Sequence, residues 1–136
     1  MKIEKEFIPY EQAFKLKELG FDEECFTYFK NGIIDLDDEG ILEIYKNYDA
    51  HNDIDEYISS PLWQQAFDWF RDVMLLDNFI IPYWFIDGEY KVKKYTYSIE
   101  PSNRFDEYFD CDSDQYDTYE EARLECLKRL IELCEM

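Results

Sequence analysis

Carboxylates are the residues with which this chain can do most chemistry. It carries 33 Asp and Glu against 14 Lys and Arg in 136 residues, a net charge of −19. The acids are concentrated. Residues 35–57 hold nine acids and one lysine, and residues 106–125 hold nine acids and one arginine, so two segments supply −16 of the −19. The first contains Asp35, Asp37, Asp38, Glu39, Asp49, Asp53, Asp55 and Glu56, and the second contains Asp106, Glu107, Asp110, Asp112 and Asp114. Three readings suit such segments. In the first they are solvated loops and a helix start, where carboxylates complement the helix dipole. In the second they form a nucleic-acid mimic. Duplex DNA carries one charge per about 1.7 Å of axis, so the nineteen charges match roughly 30 Å of duplex if they line one side.

The third reading is a calcium site. Asp110, Asp112 and Asp114 have the first, third and fifth positions of an EF-hand loop, and Glu121 falls on its last. Gln115, however, stands where the turn needs Gly, and Asp117 where an apolar residue belongs. A second near-match runs from Asp35 through Asp37, Glu39 and Gly40, but it ends on Lys46, which cannot ligate. Both loops fail at a required position. Asp110, Asp112, Asp114 and Glu121 are therefore weak metal candidates, and no metal or cofactor is predicted.

Other chemistry is thinly represented. His51 stands alone among Asp49, Asp53 and Asp55, and a solvent-exposed loop histidine is commoner than a general base or ligand in such a setting. Cys25, Cys111, Cys126 and Cys134 show no zinc spacing. Cys126 and Cys134 are eight residues apart on an expected helix, about 12 Å along its axis, which is too far to bridge. The thiols are expected to be reduced, in a cytoplasm, with two serving as small buried hydrophobes. No phosphate loop, nucleophile elbow or HExxH motif occurs. With this many acids, a pair spaced for glycoside chemistry carries no information.

One strip is basic and aromatic: Trp84, Lys91, Lys93, Tyr95 and Tyr97, with Lys94 beside it. It is either a covered sheet face, with lysine stems lying over aromatics, or a protein-contact surface anchored by its rings.

The elements that must position these residues read as an α+β domain. Residues 2–8 alternate weakly and predict a short strand. Pro9 suits a first helical turn, and the helix runs to Leu19 with Tyr10, Ala13, Phe14 and Leu16 available for packing. Gly20 is a natural residue just past a helix end, with Phe21 supplying the contact after it. Strands are predicted at 25–30 and 33–36 around Asn31-Gly32, a strong hairpin signal, and at 41–45, followed by an acidic loop over 46–57. Ser60-Pro61 predicts a helix start. Trp63, Ala66, Phe67, Phe70, Val73 and Met74 then form an apolar stripe ending near Leu76.

A second hairpin is expected from Phe79 to Ile99 around Asp87-Gly88, with Pro82 implying an edge strand or bulge. A two-residue loop places Ile86 opposite Glu89 and Phe85 opposite Tyr90. One face then carries Phe79, Ile81, Tyr83, Phe85, Tyr90 and Val92, the better core candidate, and the other carries the basic-aromatic strip. A short strand is expected at 105–109. Asp117 or Thr118 caps the last helix, each with a Glu three residues on. Its apolar face is Tyr119, Ala122, Cys126, Leu127, Leu130, Ile131 and Cys134. The expected architecture is a single domain over 1–136, a small antiparallel sheet of two hairpins packed against about three helices. The order of its C-terminal part is helix, hairpin, strand, helix. Double-stranded-RNA-binding domains share that outline, but they dock on phosphates with a basic surface.

Four stretches carry a resemblance: 1–13 (MKIEKEFIPYEQA), 16–23 (LKELGFDE), 65–71 (QAFDWFR) and 116–122 (YDTYEEA). They are similar to a family of short proteins of unestablished function encoded by phages and mobile elements of gut Bacteroidales. Family members often have Pro before the first cysteine, where Glu24 stands here, and a shorter, less acidic 31–57 region. The resemblance implies a phage or prophage setting and the cytoplasm of a host cell. It implies no activity for any residue.

Charge and setting together predict a non-enzymatic binding protein. Its partner would be a protein with a basic surface, such as a host nuclease or another nucleic-acid-binding defence factor. The charge opposes direct contact with nucleic acid or anionic membranes, and no apolar run reaches membrane-spanning length. The alternatives are a small carboxylate- or metal-dependent enzyme and a calcium-binding module.

Overall fold

The computed structural model describes residues 3–25, 27–30, 33–34, 57–101 and 114–135. They form an α+β fold of three α-helices with one three-stranded and one two-stranded antiparallel sheet. The two predicted hairpins thus belong to separate sheets. The chain gathers into two compact units, residues 1–69 and 70–136. The expected strands at 41–45 and 105–109, the acidic loop up to residue 56 and the Asn31-Gly32 turn lie outside the described residues.

The N-terminal unit begins with a 3-10 helix, Ile3–Glu6, in place of the strand predicted over 2–8. Among the described residues no strand lies beside the segment to build a ladder with it. Its partners are a single bridge between Phe7 and Leu62, an Ile8 N–H donated to the Pro61 carbonyl at 3.1 Å, and the Trp63 indole N–H, which reaches the Lys5 carbonyl at 3.0 Å.

Helix α1 spans Tyr10–Glu18. Pro9 is its N-cap, one place before the predicted position, with extended backbone and a carbonyl that accepts the Ala13 N–H. At the other end Gly20 adopts φ +102°. The Phe21 N–H returns to the Leu16 carbonyl and the Gly20 N–H to the Lys17 carbonyl, at 2.9 and 3.0 Å. These two bonds satisfy terminal carbonyls as a Schellman motif does, and Leu16 and Phe21, the positions of its apolar contact, are both buried. Ala13 and Leu16 are buried as expected, together with Gln12. Tyr10 and Phe14 lie on the neighbouring face and are exposed; Tyr10 meets Phe29 edge-on at 5.4 Å.

Strand β1 (Thr27–Lys30) is the centre of the first sheet, flanked by β2 (Ile33–Ile34) and β3 (Tyr57–Ser60). Lys30 pairs with Ile33, so a two-residue connection joins β1 and β2. Strand β3 was not anticipated, because Ser60-Pro61 reads as a helix start. Pairing with β1 overrides that reading and buries Ile58, Ser59 and Ser60.

The same pairing moves the start of α2, which spans Trp63–Asp72. Ser60 is held opposite Thr27 and cannot cap. Leu62 takes the cap position instead, its carbonyl accepting the Ala66 N–H at 3.0 Å. Trp63, Ala66, Phe67 and Phe70 are buried as the stripe predicts, and Trp69 joins them. Helix α2 stops four residues before Leu76, leaving Val73 exposed beyond its end. Leu75 takes a left-handed φ of +58°, and the next strand begins at once.

In the C-terminal unit, β4 (Leu76–Asp87) and β5 (Tyr90–Pro101) pair along their whole length, and α3 (Tyr119–Glu135) packs against both. Thr118 is the α3 cap. Its Oγ1 accepts the Glu121 N–H at 3.1 Å, the geometry expected of the predicted capping box. Ala122, Cys126, Leu127, Leu130 and Ile131 are buried; Tyr119 is exposed and Cys134 half-buried. No helix among the described residues is long and apolar enough to cross a membrane.

Two substitutions check these local devices. Gly20→Ala is expected to lower stability by about 1 kcal/mol in urea unfolding. An added Cβ would meet nothing within 4 Å, so the cost is backbone strain alone. Thr118→Ala is expected to cost about 1 kcal/mol by the same measurement, with Thr118→Asn close to neutral.

Candidate functional site

The β4–β5 hairpin is longer than the helix that covers it. Twelve residues of strand span about 40 Å. The buried stripe of α3, from Ala122 to Ile131, spans about 14 Å. The near end of the hairpin is buried on one face, through Leu76, Asn78, Tyr97 and Ile99. The distal end carries exposed apolar side chains on both faces: Trp84 is 55% exposed, Ile86 80% and Tyr90 76%.

Local sequence sets this geometry. Asp87 pairs with Tyr90, leaving Gly88 and Glu89 as the loop. Gly88 has φ +64° and Glu89 is not in the positive-φ region, which fits a type II′ turn with Gly first. The loop therefore sits one residue later than Asp87-Gly88 predicts, and Phe85 faces Val92 rather than Tyr90. Moving the loop by one shifts each partner by two, which preserves the faces. Phe79, Ile81, Tyr83, Phe85, Tyr90 and Val92 do share one side, and Trp84, Lys91, Lys93, Tyr95 and Tyr97 the other.

The expectation of which side is core is overturned. Leu76, Asn78, Tyr97 and Ile99, the buried positions, all lie on the side of Trp84. The Phe79 side is half-buried or exposed, with Phe79 at 48% and Ile81 at 42%. The lysines on the Trp84 side do not keep it out of the core, because α3 settles the matter. Its Tyr119 ring packs edge-on to Tyr95 at 6.1 Å, and Tyr116, just before it, stacks on Tyr97 at 6.3 Å.

The basic-aromatic strip is thereby divided. Tyr97 is buried and Tyr95 half-buried, while Trp84, Lys91 and Lys93 are exposed. The Lys91 ammonium lies 5.0 Å from the centre of the Trp84 ring, and the Lys93 ammonium lies 5.5 Å from Trp84 and 5.3 Å from Tyr95. These are cation–π distances, so the lysines are held along the ring surface. Lys94 turns to the opposite side and pairs with Asp117. The hydrogen bond that Lys94 donates to that carboxylate raises the Lys94 pKa.

Most of the predicted acidic sites lie outside the described residues: Asp35, Asp37, Asp38, Glu39, Asp49, Asp53, Asp55, Glu56, Asp106, Glu107, Asp110 and Asp112, with His51 and Cys111. Asp114 and Glu121 are described, and both are exposed. Among the described residues no group of three or more His, Cys, Asp or Glu is placed to hold a metal ion. Sequence reasoning named Trp84 but passed over Ile86, and it assigned Tyr90 to the core. The usable signal was position, since both flank a two-residue turn at the far end of a long hairpin.

Cys25 and Cys126 are buried, as two thiols were expected to be. Burial pushes the Cys25 thiol from 9.0 up to about 12, reinforced by Glu23 and partly offset by a hydrogen bond with Gln65. Cys25 is accordingly a protonated thiol at neutral pH, not a nucleophile.

No protein-family model, curated protein or solved structure matches this chain.

Because Cys25 ionises more readily in the unfolded chain, its contribution to stability is complete below the ordinary thiol pKa of 9.0 and is lost as pH rises toward about 12. Urea midpoints are expected to fall across that alkaline window, and the fall to shrink in Cys25→Ala. Native protein at pH 8 is expected to leave Cys25 unlabelled by a thiol reagent until it is unfolded.

Proposed function

We propose that this chain is a small, acidic, non-enzymatic binding protein of phage or mobile-element origin, which anchors on a partner protein through the distal β4–β5 hairpin. The observation that carries this reading is the cluster of Trp84, Ile86 and Tyr90 beside a turn, all more than half exposed. Large rings presented on a regular element are the residues that dominate interface energetics, because they bury much area at little conformational cost. A paired strand also holds them in place before binding.

Charge supports the class of partner. At −19 the chain steers toward a basic surface and away from nucleic acid. A host nuclease or another nucleic-acid-binding defence protein has such a surface, and occupying it would block access by DNA or RNA. The hairpin supplies the apolar anchor in this scheme, and the acidic surface supplies orientation and rate.

The test is capture from the lysate of a Bacteroidales host, using wild-type protein and a Trp84→Ala/Tyr90→Ala variant whose circular dichroism matches wild type. The expected result is recovery of a basic nucleic-acid-binding protein, with affinity lowered about a hundredfold in the variant and weakened by salt. Equal capture by the variant would remove the hairpin from the reading. Capture indifferent to salt, or of acidic proteins only, would remove the basic partner.

A further inference from the structure

The outer edge of β4 is a nearly neutral surface on a very acidic chain. From Asn78 to Ile86 the strand reads NFIIPYWFI, without one charged residue. The only sheet partner of β4 among the described residues is β5. Exposed, apolar, uncharged strand edges pair with other copies of themselves unless something prevents it.

Backbone direction identifies what prevents it. Tyr95 and Tyr116 exchange two main-chain hydrogen bonds, at 2.9 and 2.8 Å. In an extended strand a residue's N–H and C=O point to the same side, so the main chain of Tyr95 faces away from β4. Pro82 is the residue opposite Tyr95. That pair is therefore not hydrogen-bonded within the hairpin, and Pro82 directs its own main chain outward, to the edge that no described strand covers. Alternation fixes the others: Asn78, Ile80, Trp84 and Ile86 also face outward, whereas Phe79, Ile81, Tyr83 and Phe85 face β5. Proline has no N–H to give. At this position its ring costs the hairpin no ladder bond, and it removes the central donor of the exposed edge.

We propose that Pro82 is an edge guard that keeps β4 from pairing with β4 of a second copy of this chain. A second copy is the occupant this edge fits. Antiparallel β4–β4 pairing is self-complementary about a two-fold axis, and the neutral stretch removes the repulsion that −19 imposes elsewhere. Every register that overlaps the middle of the strand includes Pro82 from both copies, so two donors are missing and two rings obstruct the approach. The register centred on Pro82 also sets Asp77 against Asp87 at each end. The inference does not depend on the proposed partner, and it leaves the side-chain faces of the hairpin open for docking.

The experiment compares wild type, Pro82→Val and Pro82→Val/Ile80→Lys by sedimentation at an ionic strength of about 0.3 M, where surface repulsion is screened. Wild type is expected to stay monomeric. Pro82→Val is expected to reach about twice the monomer mass or more, and the added edge lysine to restore the monomer. A folded Pro82→Val that sediments like wild type overturns the proposal, as does association that the lysine leaves unchanged. Hydrogen exchange on wild type tests it without any variant. The outward amides of Ile80 and Trp84 should exchange quickly and those of Ile81, Tyr83 and Phe85 slowly. Protection at Ile80 and Trp84 would show an edge already covered and would overturn it.

Discussion

A two-stranded sheet cannot hide its own apolar side chains, and in the C-terminal unit α3 packs across the one that is there. An isolated hairpin is at best marginally stable in water. The burial of Ala122, Cys126, Leu127, Leu130 and Ile131 against one end of β4–β5 is what turns this hairpin into a folded unit. Because the helix reaches only part of the way, the hairpin has two regimes. Its near end is core, and its far end is surface despite a sequence that would suit an interior.

Four consecutive residues set the start of α3 and fasten it to β5, each in a different way. Tyr116 exchanges main-chain bonds with Tyr95 and stacks its ring on Tyr97. Asp117 pairs with Lys94. Thr118 caps the helix, and Tyr119 lays its ring against Tyr95. A comparable fastening secures the first residues of β4. Arg71, in the last turn of α2, donates to the Asn78 carbonyl at 3.2 Å and lies 3.9 Å from Asp77. It thereby spans the tight reversal at Leu75.

The sequence was legible where a single local mechanism decides the outcome. Gly20 ends α1, Thr118 starts α3, and the α2 stripe is buried at Trp63, Ala66, Phe67 and Phe70. Period-two alternation put Phe79, Ile81, Tyr83, Phe85, Tyr90 and Val92 on one face and Trp84, Lys91, Lys93, Tyr95 and Tyr97 on the other, as they stand, even though the turn moved by one residue. What it could not supply was anything set by a distant partner. Ser60 looks like a helix cap until β1 pairs with it. Phe79 and Ile81 look like core until α3 takes the opposite face. The exposed tip was half legible: Trp84, Lys91 and Lys93 belong to the strip read from composition, while Tyr97 left it for the interior. The acidic segments were plain as composition, which says how much charge a chain carries and nothing about the surface on which it is spread.

The tryptophans divide the same way. Trp63 and Trp69 are buried in the N-terminal unit, one donating to the Lys5 carbonyl and the other meeting Phe21 edge-on at 5.6 Å, whereas Trp84 stands in solvent under two ammonium groups. The molecule therefore carries two optically distinct populations of indole. The interior pair emits from an apolar setting shielded from collisional quenchers, and the third emits from a hydrated, cation-perturbed one. Each population reports on a different half of the chain, so loosening of one half is separable by colour from an event at the hairpin tip of the other.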